Sequence, residues 1–340
     1  MSKTSIEWTD YSLNPLRARG PNGKSGHHCV KVGPGCKNCY SSRFQPRLGL
    51  PLFQEQRSDP PTLFLDAKTL LEPLKRRKPT KFFWCDMTDM FGEWVPFEWI
   101  AACFAVMAAT PRHTHQVLTK RPERAREFFA WVNERSDQYG SDLASIEHVL
   151  AASYAYETGD GSDSDHDDRL DDMLERIRDG YRPDNSDLPW PLPNVWLGVS
   201  VEDQQRADER IPLLLKTPAS VRFLSCEPLL GPVELRDEDW TTKDYLRGTE
   251  HLQGSSKALP GKIDWVIVGG ESGPGARPTN LDWIRSIVEQ CRAANVPCFV
   301  KQAGARPVDD GVRIRLADRK GGDLEELPAD LRIREFPRAT

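Results

Sequence analysis

No stretch of this 340-residue chain is apolar for long enough to cross a bilayer. The longest apolar run is residues 100–109, about half of the roughly 20 residues that a spanning helix needs. The first residues, Met-Ser-Lys-Thr-Ser-Ile-Glu-Trp-Thr-Asp, lack the apolar core of a secretory signal, which predicts a cytoplasmic protein with no membrane partner. No unit of 20 to 50 residues recurs, and this argues against solenoids and propellers. The glycine-rich stretch 269–273 is neither a Walker loop nor a dinucleotide fingerprint, so it signals close backbone approach to a ligand and little more. The aspartates of 157–187 lack the EF-hand order of ligands, which argues against a calcium loop.

What the chain does have is cysteine in one place. Cys29, Cys36 and Cys39 supply three thiols within eleven positions, on a segment punctuated by Gly33, Pro34 and Gly35. Three thiolates leave one position of a tetrahedral metal, or one iron of a cubane, without a protein ligand. A structural zinc knuckle closed by His27 or His28 fits the same spacing. In a cytosolic chain these thiols are kept reduced, which favours ligands over disulfides. The five other cysteines, Cys85, Cys103, Cys226, Cys291 and Cys298, sit among apolar neighbours and read as core.

A hydrophobic share of 38% and ten tryptophans predict a large core, and one domain spanning 1–340 fits the length. Net charge is −5, yet residues 157–187 alone carry twelve acids against four arginines. That segment reads as a disordered acidic insertion with room for a short helix, and 303–340 as a C-terminal extension.

Between these lies βα alternation. Strands are expected at 81–85, 115–118, 195–199, 221–224, 265–268 and 298–300, with 5–8 as a candidate first strand. Helices are expected at 98–108, 122–134, 202–215 and 281–294. In parallel α/β folds ligands bind at the carboxyl ends of strands. Here those ends are polar throughout: Asp86, Thr88 and Asp89; Thr119, Lys120 and Arg121; Ser200 and Glu202; Ser225 and Glu227; Gly269, Gly270 and Glu271; Lys301 and Gln302. Any one of these could be a helix cap or a rim ion pair. The basic run 75–78 just before Phe82, Phe83 and Trp84 would suit a nucleic-acid groove, although a solvated turn feeding a buried strand explains it better.

Thr4-Ser5-Ile6-Glu7-Trp8-Thr9-Asp10, the segment 29–40, Leu118-Thr119-Lys120-Arg121-Pro122, Gly198-Val199-Ser200-Val201-Glu202, Ser225-Cys226-Glu227-Pro228, Val268-Gly269-Gly270-Glu271-Ser272-Gly273 and Asp318-Arg319-Lys320-Gly321-Gly322-Asp323 together resemble the three-cysteine-motif family of bacteriophage and prophage proteins. That family is similar to radical S-adenosylmethionine enzymes. The resemblance implies an α/β fold, a partial or complete βα barrel of TIM type. It also implies a [4Fe-4S] cluster on Cys29, Cys36 and Cys39, S-adenosylmethionine on the open iron, and an electron donor of flavodoxin or ferredoxin type. Two features depart from the radical-enzyme pattern: six residues separate Cys29 from Cys36, and Gly269-Gly270-Glu271 follows a late strand rather than the second.

On this reading Asp86, Thr88, Asp89, Ser200 and Glu202 hold the cofactor, while Lys120, Glu227, Glu271 and Lys301 surround the substrate. Nucleic acid is the expected substrate, by analogy with the phage association. The alternatives are radical modification of a peptide or small molecule, and a non-enzymatic zinc-stabilised interaction protein.

Overall fold

The computed structural model describes residues 2–53, 61–138, 145–159, 163–181, 188–236, 243–252 and 255–337. It divides into two compact units. The first comprises Met1–Lys31, Ser41–Trp196 and Thr217–Ser220, and the second Val32–Tyr40, Leu197–Lys216 and Val221–Thr340. Both are mixed α/β, with parallel strands and flanking helices.

In the first unit, β1 (Tyr11–Leu13), β2 (Lys81–Trp84) and β3 (Thr114–Thr119) run parallel, with Tyr11 opposite Phe82 and Lys81 opposite Thr114. His115 N donates to Asn194 O at 2.8 Å, beside the start of β4 (Val195–Ser200), whose first two residues belong to this unit. Phe82, Phe83 and Trp84 are all buried, the continuous apolar pattern of a strand covered on both faces. The candidate first strand at 5–8 is not formed. Ile6 and Thr9 close a turn there, and the strand lies at 11–13. The periodicity of Ile6 and Trp8 reports a buried turn residue, Trp8.

The helices of this unit are α1 (Tyr40–Phe44), of which Tyr40 is assigned to the other unit, α2 (Ala67–Leu70), α3 (Phe97–Ala108), α4 (Pro122–Gln138), α5 (Ser145–Thr158) and α6 (Asp163–Tyr181). Ile100 to Ala108 of α3 are buried without exception, as an apolar helix packed on several sides must be. It packs against α4, α5 and α6.

Helix α6 overturns the expectation of disorder across 157–187. Met173, Leu174 and Ile177 fall at helical spacing and are buried, so the acidic residues form the solvated face of an amphipathic helix packed on α5. Residues 160–162 and 182–187 of the segment lie outside the described residues.

In the second unit, the rest of β4 is followed by β5 (Val221–Cys226), β6 (Trp265–Gly269) and β7 (Cys298–Gln302). Trp265 sits opposite Phe223 and Val266 opposite Cys298, both in parallel register. Val201 N donates to Ser225 O at 2.8 Å, tying the end of β4 to β5. Helices α7 (Gln204–Leu215) and α8 (Leu281–Ala294) connect the strands, each capped by a side chain, Asp203 and Asn280 respectively.

The segment 303–340 is more than an extension. Val300 N donates to Ile333 O at 2.8 Å and Glu335 N to Cys298 O at 2.9 Å, so residues 333–335 pair along β7. Trp265 Nε1 donates to Glu335 O, and Phe336 stacks on Trp265 with centroids 5.4 Å apart. Cys85, Cys103, Cys226, Cys291 and Cys298 are buried, as core. Among the described residues no helix is long and apolar enough to cross a membrane.

Candidate functional site

The polar strand ends hold the cysteine-bearing chain. In the first unit the carbonyls on either side of Cys29 are both fixed: the Thr88 hydroxyl donates to His28 O, and Arg121 Nη2 donates to Val30 O at 2.8 Å. Cys29 Sγ lies 3.7 Å from that same Val30 oxygen. The Arg121 guanidinium is therefore a near neighbour of the sulfur. It stacks over Trp94 at 4.7 Å, and the His28 ring meets Trp94 edge-on at 4.9 Å.

Asp89 anchors this arrangement. Its carboxylate accepts from Thr119 Oγ1 (2.7 Å), Lys120 N (3.0 Å), Phe91 N (3.1 Å) and Arg121 Nη1 (3.0 Å). Asp89 and Arg121 are both nearly inaccessible, a placement tolerated only when the pair is fully hydrogen-bonded. Burial works against the Arg121 charge, yet Asp89, Cys29 and Glu93 outweigh it and hold its pKa above the ordinary value. Asp86 accepts from Asn14 Nδ2 at 2.6 Å, and Asn14 Oδ1 in turn accepts from Met87 N. Thr88, expected at a cofactor, holds the carbonyl before Cys29, and Asp89, expected there too, reaches the one after it through Arg121.

The second unit treats its cysteines the same way. Glu271 forms a two-point pair with Arg277, Nη2 to Oε1 at 2.6 Å and Nε to Oε2 at 2.9 Å. Arg277 Nη1 reaches Pro34 O at 2.9 Å, two residues before Cys36. Asn38, between Cys36 and Cys39, donates to Glu271 Oε2 at 3.0 Å and to Gly275 O at 3.0 Å. Burial opposes ionisation of Glu271, but the Arg277 and Asn38 donors hold its carboxyl below the usual range.

Glu202, fully buried, pairs with Arg210 at 2.8 Å, and Arg210 also donates to Ser200 O. A Cβ at Gly35 would collide with the Glu202 carboxylate, so the cysteine segment lies against that side chain and only glycine fits. Glu202, expected at a cofactor, lies against Gly35, and Glu271, expected at a substrate, bonds Asn38 and Arg277.

Glu227 and Lys301 are different. Lys301 Nζ lies 3.0 Å from Glu227 Oε1, and Ser225 Oγ donates to Glu227 Oε2 at 3.2 Å. Both side chains keep some solvent exposure. Lys120 is half-buried, with its backbone N on Asp89, and Ser200 is buried.

Sequence reasoning missed Arg210 and Arg277, and singled out Arg121 only as part of a polar strand end. Arg121, Arg210 and Arg277 organise the strand ends, but an isolated arginine carries no spacing signal, and only Arg121 lay in a segment already singled out. The basic run 75–78 resolves as the solvated turn: Arg76 stacks on Tyr11 at 3.8 Å, and the aromatics of β2 are buried.

None of the eight cysteines is in a disulfide. Cys29 belongs to the first unit, Cys36 and Cys39 to the second. Among the described residues, the one group of three or more His, Cys, Asp or Glu with ligand atoms within 4.8 Å of each other is Asp282, Asp309 and Asp310. Arg285 fills it, at 2.8 Å from Asp282 and 2.6 Å from Asp309. The cysteines do not form such a group.

Fold and strand ends define an α/β protein whose cysteine-bearing segments are braced by polar residues at the carboxyl ends of parallel strands. The chain belongs to the family described as protein of unknown function DUF5131, whose model matches residues 3–328. No curated protein and no solved structure matches it.

Proposed function

We propose that the protein is a metal-dependent enzyme in which Cys29, Cys36 and Cys39 hold a [4Fe-4S] cluster with one open iron for S-adenosylmethionine. The observation that carries this reading is the bracing of the cysteine segments: Thr88 and Arg121 at Cys29, Arg277 and Asn38 at Cys36 and Cys39. Metal sites are held by such outer contacts, which orient their ligands. These three thiols are partly accessible, while the other five are buried. Burial pushes the thiols of Cys85, Cys103 and Cys226 up, unsuited to acting as thiolate ligands.

When bound, such a cofactor supplies a carbon radical that abstracts hydrogen from substrate, after one electron from a flavodoxin- or ferredoxin-type donor. The chain itself must place the ligands, exclude water and contact the substrate. Thr88, Asp89, Glu202 and Glu271 serve the first task. Glu227 and Lys301, which face each other, are the charged pair left to contact substrate, with Lys120. The finer form of the α/β fold that goes with this reading is a partial βα barrel. His27 Nδ1 is 3.2 Å from Leu16 O and His28 packs on Trp94, both buried; this supports an open fourth position over a Cys3His zinc knuckle.

Anaerobic reconstitution should yield about four irons and four sulfides with a broad visible absorbance. Cys29→Ala, Cys36→Ala and Cys39→Ala should each remove them, and Cys226→Ala should not. Stoichiometric zinc without sulfide would overturn the cluster. A full cluster that yields no 5′-deoxyadenosine under strong reductant would overturn the radical step.

A further inference from the structure

Residues 11–54 contain seven Lys or Arg and no Asp or Glu, in a chain of net charge −5. Helix α1 lies in this stretch and runs on into the 3-10 turn Gln45–Leu48. Its polarity is inverted. Ser41, Ser42 and Gln45 are buried, bolting the helix down: Ser41 Oγ donates to Met87 O at 2.6 Å, Ser42 Oγ accepts from Phe53 N at 3.0 Å, and Gln45 Oε1 accepts from His27 N at 2.9 Å.

The aromatic residues point the other way, with Tyr40 49% and Phe44 47% exposed. Arg43 and Arg47 are exposed between and beyond them. Positions 40, 43, 44 and 47 share one helical face, and the Arg47 guanidinium lies 5.8 Å from the Phe44 ring centre. Rings left about half exposed on a helix whose polar side is buried gain only part of the energy that full burial would give. Aromatics interleaved with arginine in a segment free of carboxylates match the flat faces and phosphates of unpaired nucleotides.

We propose that Tyr40, Arg43, Phe44 and Arg47 form a contact surface for single-stranded nucleic acid, the rings stacking on bases and the guanidinium groups pairing with phosphates. As a substrate class this rests on the function proposed above, because α1 begins directly after Cys39. Binding itself needs no metal, so the two can fail separately.

The test is fluorescence anisotropy on the full chain, using labelled single-stranded DNA and RNA longer than the ~4–16 nucleotides such surfaces cover, together with the matching duplex. Single strands should bind more tightly than duplex, and the DNA and RNA arms decide which strand is preferred. Phe44→Ala and Tyr40→Ala should each weaken binding on the order of tenfold. The double change Arg43→Gln with Arg47→Gln should lower the slope of log affinity against log salt by roughly 1.4. Lys78→Gln, in the basic turn at the other end of β2, should change neither. All these side chains are exposed, and circular dichroism is the check that each variant folds. Cys36→Ala should lose metal and keep the oligonucleotide. Absence of binding at low salt, or affinity unchanged in Phe44→Ala, would overturn the proposal; duplex binding equal to single-strand binding would do so too.

Discussion

At the scale of single residues, the dominant theme is buried charge and buried imidazole, each explained by its partners. Asp89 accepts four hydrogen bonds and faces Arg121. Asp89→Asn therefore leaves a buried guanidinium without its counter-charge, at a cost of about 3–5 kcal/mol, and loosens the turn around Cys29. The expected result is a lower urea midpoint together with reduced iron per chain, whereas Asp86→Asn should affect the metal far less. The histidines give a second test. Burial lowers the pKa of His27 to about 4 and of His115 to about 3, with His113 lowered for the same reason. His115 is held neutral between the Trp84 Nε1 donor at 2.9 Å and Thr110 Oγ1 at 3.0 Å.

Since the unfolded chain protonates these rings near pH 6.5 and the folded chain only well below it, the unfolded state binds more protons in between. Stability should hold above about pH 6.5 and fall as pH drops towards 4. Urea unfolding at several pH values would show the slope, and His115→Gln should flatten it. A stability that rises on acidification would contradict the assignment.

At the scale of elements, α6 is the informative case. Its composition, rich in aspartate and poor in aromatics, reads as disorder, while its spacing of Met173, Leu174 and Ile177 reads as a helix packed on α5. The spacing prevailed, because three buried side chains at one stripe suffice to dock a helix whose acids stay in water. Ile177→Ala should cost about 2–5 kcal/mol, measured by chemical unfolding, whereas Asp171→Ala on the solvated side should cost less than about 0.5 kcal/mol.

Strand positions from β2 onward were legible because consecutive β-branched and aromatic residues bounded by polar turns have few other readings. The first strand was not, since Trp8 is as buried in a turn as it would be in a sheet. The strand ends were legible as a set of polar residues but not in their roles. Whether a carboxylate meets a ligand or an arginine is decided by partners such as Arg121, 32 residues beyond Asp89, and Arg277, six beyond Glu271, whose pairing no periodicity of the sequence announces.

At the scale of the whole molecule, the last parallel strand, β7, is covered by the chain that follows it. In the second unit the closing piece is the strap at residues 331–336, with Leu331 buried, Ile333 and Glu335 paired to β7, and Phe336 stacked on Trp265. Removing residues 328–340 would uncover the outer row of backbone groups on β7. The truncated chain should lose solubility and bind a hydrophobic dye, seen by light scattering and fluorescence, more than a Glu335→Ala variant does. A truncated chain that stays monomeric with an unchanged melting temperature would count against this role for the strap.

The strap also has a consequence in time. Its residues follow β7 in the chain, so during synthesis β7 exists before its cover does. For that interval a hydrophobic strand, Cys-Phe-Val-Lys-Gln, offers unpaired N–H and C=O groups along one side, the template on which neighbouring nascent chains could add a strand of their own. Lys301, the one charge within that strand, would then act before any chemistry, as a gatekeeper against aggregation on the ribosome.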